Sequence, residues 1–423
     1  MRARVALRFA AALILAIASV IPAMSSASAA APSGTWARQT APAAGNSDLQ
    51  GVYFLNNSTG WAVGGTTDSN GSAVILYTTD GGTTWNTANI TGGQNKLFAV
   101  HFVSSLVGFA VGDGGIFLTS TDGGQNWAHI ANEPDVSGYA DIQFGDATHG
   151  CAVGSDIVCT SDGGNTWATL NGANRPSCPG MEGISFGDAA TAYVAGPCGV
   201  LKSTNANTAN VSDIVFTKIS DPPSPAVSVD DVSCADGTHC TVVGNDTNNV
   251  GVVAVTVNGT AFTTQTSCLD GMGLEAVDFR RGDALNGWIG GNHDTSDSGA
   301  GQLCQTSDAG ASWPASLSTV AEVKDVWFTD VCHGWMVTET ESQAAAGARG
   351  LGQPRAAVAP SDQLVIYAFT DTCPTSAEAP AGVGLPKAGH VPQVDAGLAL
   401  LLLAAIAGAT VLGISAGLAG RRR

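Results

Sequence analysis

The chain has 423 residues, of which 44% are hydrophobic and only 12% charged, with 54 glycines and a formal net charge of −18. That length supplies a large core, and many glycines with few charges read as turn-rich β structure. An acidic chain without a basic patch has nothing to neutralise phosphates, which excludes a nucleic-acid partner and leaves solubility as the plain role of the charge.

In chain order, Arg2, Arg4 and Arg8 precede an apolar run from Phe9 to Met24, and the small residues Ala27-Ser28-Ala29 follow. This is the layout of a secretory signal peptide over residues 1–29. All ten cysteines lie beyond it, so an oxidising compartment and five disulfides are expected. Without the six terminal arginines and Asp395, 11 basic residues face 34 acidic ones.

From residue 30 to 375 the chain repeats itself. One motif reads Gly51-Val52-Tyr53-Phe54 followed by Gly60-Trp61-Ala62-Val63-Gly64, and returns as Ala99 to Phe102 followed by Gly108 to Gly112. Further copies begin at Asp141, Gly183, Asp231, Ala276 and Asp325, giving seven units spaced 48, 42, 42, 48, 45 and 49 residues apart. Within each unit, alternating apolar runs divided by Gly, Asn and Asp read as four short strands. A second motif, Ser/Thr-x-Asp-x-Gly-x-x-Trp, ends at Trp85, Trp127, Trp167 and Trp313 and carries Asp80, Asp122, Asp162 and Asp308. Its Asp accepts turn N–H groups, its Gly takes unusual backbone angles and its Trp packs into the sheet.

This second motif resembles the Asp-box (BNR) repeats of β-propellers, which implies structural rather than catalytic aspartates. Together the two motifs look most like the propellers of the photosystem II stability/assembly factor family, over about residues 34 to 373. The expected fold is therefore all-β, a seven-bladed β-propeller. Units four and five keep their strands but replace the box by Ser203-Thr204-Asn205 and Thr256-Val257-Asn258. Unit seven lacks a fourth strand, and Gly34-Thr35-Trp36 resembles the end of a box, so an N-terminal strand should close the ring. The blade alignment pairs Cys151 with Cys159, Cys178 with Cys198, Cys234 with Cys240, Cys268 with Cys304, and Cys332 with Cys373.

After the propeller comes a Pro/Ala/Gly-rich linker, residues 376–395, containing Leu385-Pro386-Lys387-Ala388-Gly389. The uncharged run 396–420 is long enough for a transmembrane helix, and Arg421-Arg422-Arg423 would stay cytoplasmic. These features resemble a sortase cell-wall sorting signal, with Ala388 where Thr is usual. The resemblance implies sortase, peptidoglycan and membrane partners and an anchored, extracellular surface protein of a Gram-positive-type bacterium; a simple membrane anchor is the alternative.

Propeller geometry puts the opening residues of the innermost strands, Asp141, Glu182, Asp230, Asp231, Glu275 and Asp325, at one mouth of the central channel, with Lys324 alone positive. They are the candidate ligand-binding residues, for a cation or basic ligand, against the plain reading of a wet polar rim. Long loops of units five, six, seven and one share that face. Asp68-Ser69-Asn70 and Asp294-Thr295-Ser296-Asp297 offer oxygen ligands for Ca²⁺, without the spacing of a full loop site; no other cofactor is expected. His149, His239 and His333 repeat one turn position in separate units, and neither they nor the cysteines have zinc spacing.

The expected function is a non-catalytic binding or scaffold propeller recognising a protein or a glycan, as a monomer. The alternative is a secreted glycoside hydrolase using two mouth carboxylates such as Glu182 and Glu275. Sialidase chemistry is disfavoured, because Arg38, Arg175, Arg280, Arg281, Arg349 and Arg355 are the only propeller arginines and none has that family's N-terminal context.

Overall fold

The computed structural model describes residues 34–42, 47–66, 71–92, 95–130, 134–178, 180–267, 272–293, 301–319, 322–338 and 364–371. They form seven sheets, six of four strands and one of five. The innermost strands are Ser47–Phe54, Leu97–Phe102, Tyr139–Phe144, Gly183–Phe186, Asp231–Cys234, Met272–Phe279 and Val323–Asp330, defining blades 1 to 7. Blade 2 gains its fifth strand from the incoming connection, as Asn89–Thr91 pairs parallel to Asn126–Ala128.

The ring closes as the sequence predicts. Thr35–Gln39 pairs antiparallel with Val365–Thr370 as the fourth strand of blade 7. Trp36 then occupies the position of a box tryptophan. It meets Phe328 edge to face at 5.8 Å and 89°, as Trp85 meets Phe54, Trp127 meets Phe102, Trp167 meets Phe144 and Trp313 meets Phe279. Such pairs contribute about 0.5–1.5 kcal/mol beyond their buried area.

Aromatic stacking also locks blade to blade. Trp335 stacks on Phe54 at 3.5 Å, Trp61 on Phe102 at 3.4 Å and Trp288 on Phe328 at 3.4 Å, each ring reaching the inner strand of the next blade. Where Cys151, Tyr193 and Thr241 hold that second-strand position the same stack is not formed. Disulfides cluster there instead: Cys151–Cys159 and Cys234–Cys240, with Cα atoms 4.1 Å apart across strand pairs, and Cys178–Cys198 at 5.6 Å. Cys304 and Cys332 are disulfide-bonded too; their expected partners Cys268 and Cys373 lie outside the described residues.

The box turns follow local chemistry. Thr78 Oγ1 accepts the Gly82 N–H and donates to Asp80, whose carboxylate accepts the Thr84 N–H and hydroxyl. Gly81 and Gly82 have φ of 72° and 87°, the left-handed region that a Cβ disfavours. Blades 4 and 5 keep the device with Asn: Ser203 donates to Asn205 and Thr256 to Asn258. In blade 4 the turn has grown, so Asn205 accepts the N–H of distant Val215.

The signal peptide, the Leu385-Pro386-Lys387-Ala388-Gly389 motif, the apolar run 396–420 and both Ca²⁺ candidates, at 68–70 and 294–297, fall outside the described residues. Among the described residues no helix is long and apolar enough to cross a membrane.

Candidate functional site

Three rings of side chains line the channel, and a β-bulge at the start of the inner strands creates the first of them. The register shifts between Leu49 and Gly51, Leu97 and Ala99, Tyr139 and Asp141, Leu274 and Ala276, and Val323 and Asp325. Each bulge inserts a residue that points at the mouth: Gln50, Phe98, Ala140, Glu275 and Lys324. Glu182 and Asp230 hold the same place in blades 4 and 5, and all seven line a cavity of about 160 Å³.

The second ring is where the structure divides the six candidate carboxylates. Asp141, Asp231 and Asp325 each accept two backbone N–H groups, one from their own strand and one from the next blade. Asp141 binds Ile142 and Ile184, Asp231 binds Val232 and Val277, and Asp325 binds Val326 and Val52. The neighbouring blade presents a small residue at each place, Gly183, Ala276 or Gly51. A Cβ on Gly51 would lie 2.4 Å from the Phe98 carbonyl oxygen, too close for any side chain. These three carboxylates are therefore inter-blade staples. Burial raises Asp141 to about 6 and, together with the charge of Asp141, Asp231 to about 7; burial lifts Asp325 well above the ordinary range.

Glu182, Asp230 and Glu275 remain at the rim. Glu275 forms an ion pair with Lys324 at 2.9 Å, and Lys324 also contacts Glu322 at 2.9 Å. Burial and hydrogen bonding to Glu322 raise Glu275. Burial works against the Lys324 charge, but the two flanking carboxylates outweigh it and raise its pKa. Glu182 is raised by burial and by the charge of Asp230, and burial raises Asp230. Glu182 stays exposed, so its carboxylate is open to a ligand.

The third ring escaped the sequence reading. It consists of Tyr53, His101, Gln143, Ser185, Ser233, Asp278 and Trp327, each immediately before the terminal aromatic or cysteine of its inner strand. Aligning the repeats on that residue would have placed all seven in one column. They line a second cavity of about 410 Å³ toward the Asp-box side, joined there by Arg280 and Arg281. Asp278, buried and raised to about 8, binds the Phe328 N–H and belongs with the staples.

Asp146–His149, Asp236–His239 and Asp330–His333 form the same i,i+3 pair in three first-hairpin turns, consistent with repeat ancestry. Among the described residues no group of three or more His, Cys, Asp or Glu is arranged to hold a metal.

The model of the Photosynthesis system II assembly factor YCF48 family matches residues 29–140. The propeller is similar to that of the photosystem II assembly factors. YCF48 bound to D1 peptide superposes with a TM-score of 0.55 at 15% identity, covering 80% of this chain and 97% of that one. YCF48 from Cyanidioschyzon merolae gives 0.53 at 17% identity, over 78% and 98%. An ancestral GH74 enzyme gives 0.54 at 15%, over 72% of this chain but 45% of that one. No curated protein sequence matches the chain. At these identities the likeness establishes the fold.

The comparisons overturn the address expected from the chain ends, an anchored extracellular surface protein of a Gram-positive-type bacterium. The matches run to photosystem II assembly factors rather than to cell-wall surface proteins. The physical reason is the small information content of the tail. A five-residue motif beside an apolar run fixes few side chains, whereas the match rests on the strands and turns of the propeller. Sortase and peptidoglycan, the partners implied by that address, go with it.

Proposed function

We propose that the chain is a non-catalytic binding propeller whose acidic mouth takes a basic segment of a partner protein. The observation that carries this reading is the pair Glu182 and Asp230, two adjacent carboxylates destabilised by burial and, for Glu182, by its neighbour's charge. A lysine or arginine placed between them relieves that repulsion and gains charge-assisted hydrogen bonds. A similar structure is described as YCF48 bound to D1 peptide, which supports a peptide as ligand over a glycan. A glycoside hydrolase needs two carboxylates free to act. Asp141, Asp231 and Asp325 are engaged by backbone N–H groups, Glu275 is held by Lys324, and Asp230 accepts the Asn245 side-chain N–H, which leaves only Glu182 of the six without such a partner among the described residues.

Fluorescence anisotropy with a labelled Lys/Arg-rich peptide and a Glu-rich peptide of equal length tests the proposal. Only the basic peptide should bind, its affinity should fall with salt, and the double variant Glu182→Gln/Asp230→Asn should lose about tenfold. Equal binding of both peptides, or no effect of the variant, would refute it. Release of reducing ends from a polysaccharide would refute the non-catalytic half.

A further inference from the structure

The third ring holds one member unlike the rest. Six of its residues reach the next blade: Tyr53 hydroxyl donates to Phe102 O at 3.0 Å and Trp327 Nε1 to Phe54 O at 2.9 Å. Gln143, Ser185, Ser233 and Asp278 accept the N–H of Phe186, Cys234, Phe279 and Phe328. His101 makes no hydrogen bond among the described residues. Its ring is held instead by stacking, with centroids 4.6 Å from Tyr53 and 5.7 Å from Phe144. Tyr53 in turn lies 4.7 Å from Trp327, so four rings from blades 7, 1, 2 and 3 form one continuous wall.

Arg281 spans the Asp-box end of the same cavity. It starts in the first hairpin of blade 6 and crosses to blades 3 and 4, where Nη1 donates to Gly145 O at 3.0 Å and Nε and Nη2 donate to Phe186 O at 3.2 and 2.7 Å. These bonds use three of the five guanidinium N–H groups and leave one on each terminal nitrogen. The side chain stays open to solvent. Burial of the imidazole, helped by the Arg281 charge, holds His101 down to about 3, so His101 is neutral, with one nitrogen able to donate and the other to accept.

We propose that the Asp-box half of the channel is a binding site for a small planar aromatic carboxylate. Its ring lies on the wall of Tyr53, Trp327 and Phe144, and its carboxylate takes the two open Arg281 N–H groups and the His101 N–H. The cavity of about 410 Å³ falls in the size range of small-molecule sites, roughly 300–1,000 Å³, which pair apolar walls with few convergent polar groups. Two carboxylates line this cavity as well, but Asp146 is paired with His149 and Asp278 accepts the Phe328 N–H, whereas the opposite mouth, rich in carboxylates, repels such an anion. This site adjoins the acidic cavity, with which it shares Tyr53, His101 and Trp327, but it uses none of the rim carboxylates.

Indole-3-acetate is the probe, with indole-3-ethanol as its neutral counterpart, followed by isothermal titration on the full chain. Indole-3-acetate should bind at least tenfold tighter than the alcohol, about the difference expected for a charge-assisted contact. His101→Phe, which keeps the stacking, should weaken the acid about tenfold and leave the alcohol unchanged. Arg281→Gln should abolish the preference for the acid. Equal affinity for acid and alcohol, no binding of either, or an unchanged affinity in His101→Phe would overturn the site; His101→Phe keeps the test open should Arg281→Gln fail to fold.

Discussion

The aspartates of the box turns and those of the channel wall accept the same kind of hydrogen bond, yet they titrate in opposite directions. Asp80 and Asp122 are held below the ordinary carboxylate range by hydrogen bonds from Thr84 and Asn126, and Asp162 and Asp308 are lowered despite some burial. Asp141, Asp231 and Asp278 are raised, because burial outweighs backbone N–H groups of equal quality. Water decides between the two populations. A solvated turn lets the hydrogen bonds favour the charged form, whereas a narrow channel shared with other carboxylates penalises it.

The largest test of this contrast is Asp231→Ala, which leaves the Val232 and Val277 N–H groups without their acceptor. It should cost about 3 kcal/mol by chemical denaturation. Asp231→Asn keeps an acceptor for one of those N–H groups and turns its own NH₂ toward the other, so it should cost less than Ala yet stay less stable than the parent chain.

The pH profile comes next. The wall carboxylates have folded pKa values of about 6, 7 and 8 against an ordinary 3.8. The folded state therefore keeps protons that the unfolded state has released. Their stabilisation is complete below about pH 4 and is lost as pH rises to about 8. Box aspartates act in the other sense: their contribution is present above about pH 4 and fades as pH falls through their lowered values. Melting temperature should accordingly peak near pH 4 to 5 and fall toward pH 8. A profile that rises from pH 5 to 8 would break the contrast.

Asp162→Ala removes a turn acceptor that water can partly replace, and should cost about 1 kcal/mol at pH 7. Asn205→Asp restores the box carboxylate in blade 4 and keeps the acceptor for Ser203 and Val215, but it loses the amide N–H donated to the Asp213 carbonyl at 2.8 Å and should also cost about 1 kcal/mol. Smallest of all, Glu182→Gln at the exposed rim should leave the melting temperature unchanged while altering peptide binding.

The seven copies of the strand motif made the blade count legible along the chain, and the likeness between Trp36 and a box tryptophan made the closing strand legible. The pairs Cys151–Cys159, Cys178–Cys198 and Cys234–Cys240 were legible from the same blade alignment. What could not be read was the role of each channel carboxylate. Asp141, Asp231, Glu182 and Asp230 look alike along the chain, and only the N–H groups donated from the next blade, Ile184 to Asp141 and Val277 to Asp231, separate staple from rim.

By itself the sequence determined what is local: turns closed within five residues by Thr78, Asp80 and Gly82, a period near 45 residues, and the apolar alternation of the strands. Tertiary structure decided which polar groups were left open. The bond from Ile184 to Asp141 joins residues 43 apart, and the reach of Arg281 to Gly145 spans 136. Hydrogen-bond satisfaction across blades depends on three-dimensional neighbours rather than on spacing, so the unpaired imidazole of His101 became visible only once the ring had closed around it.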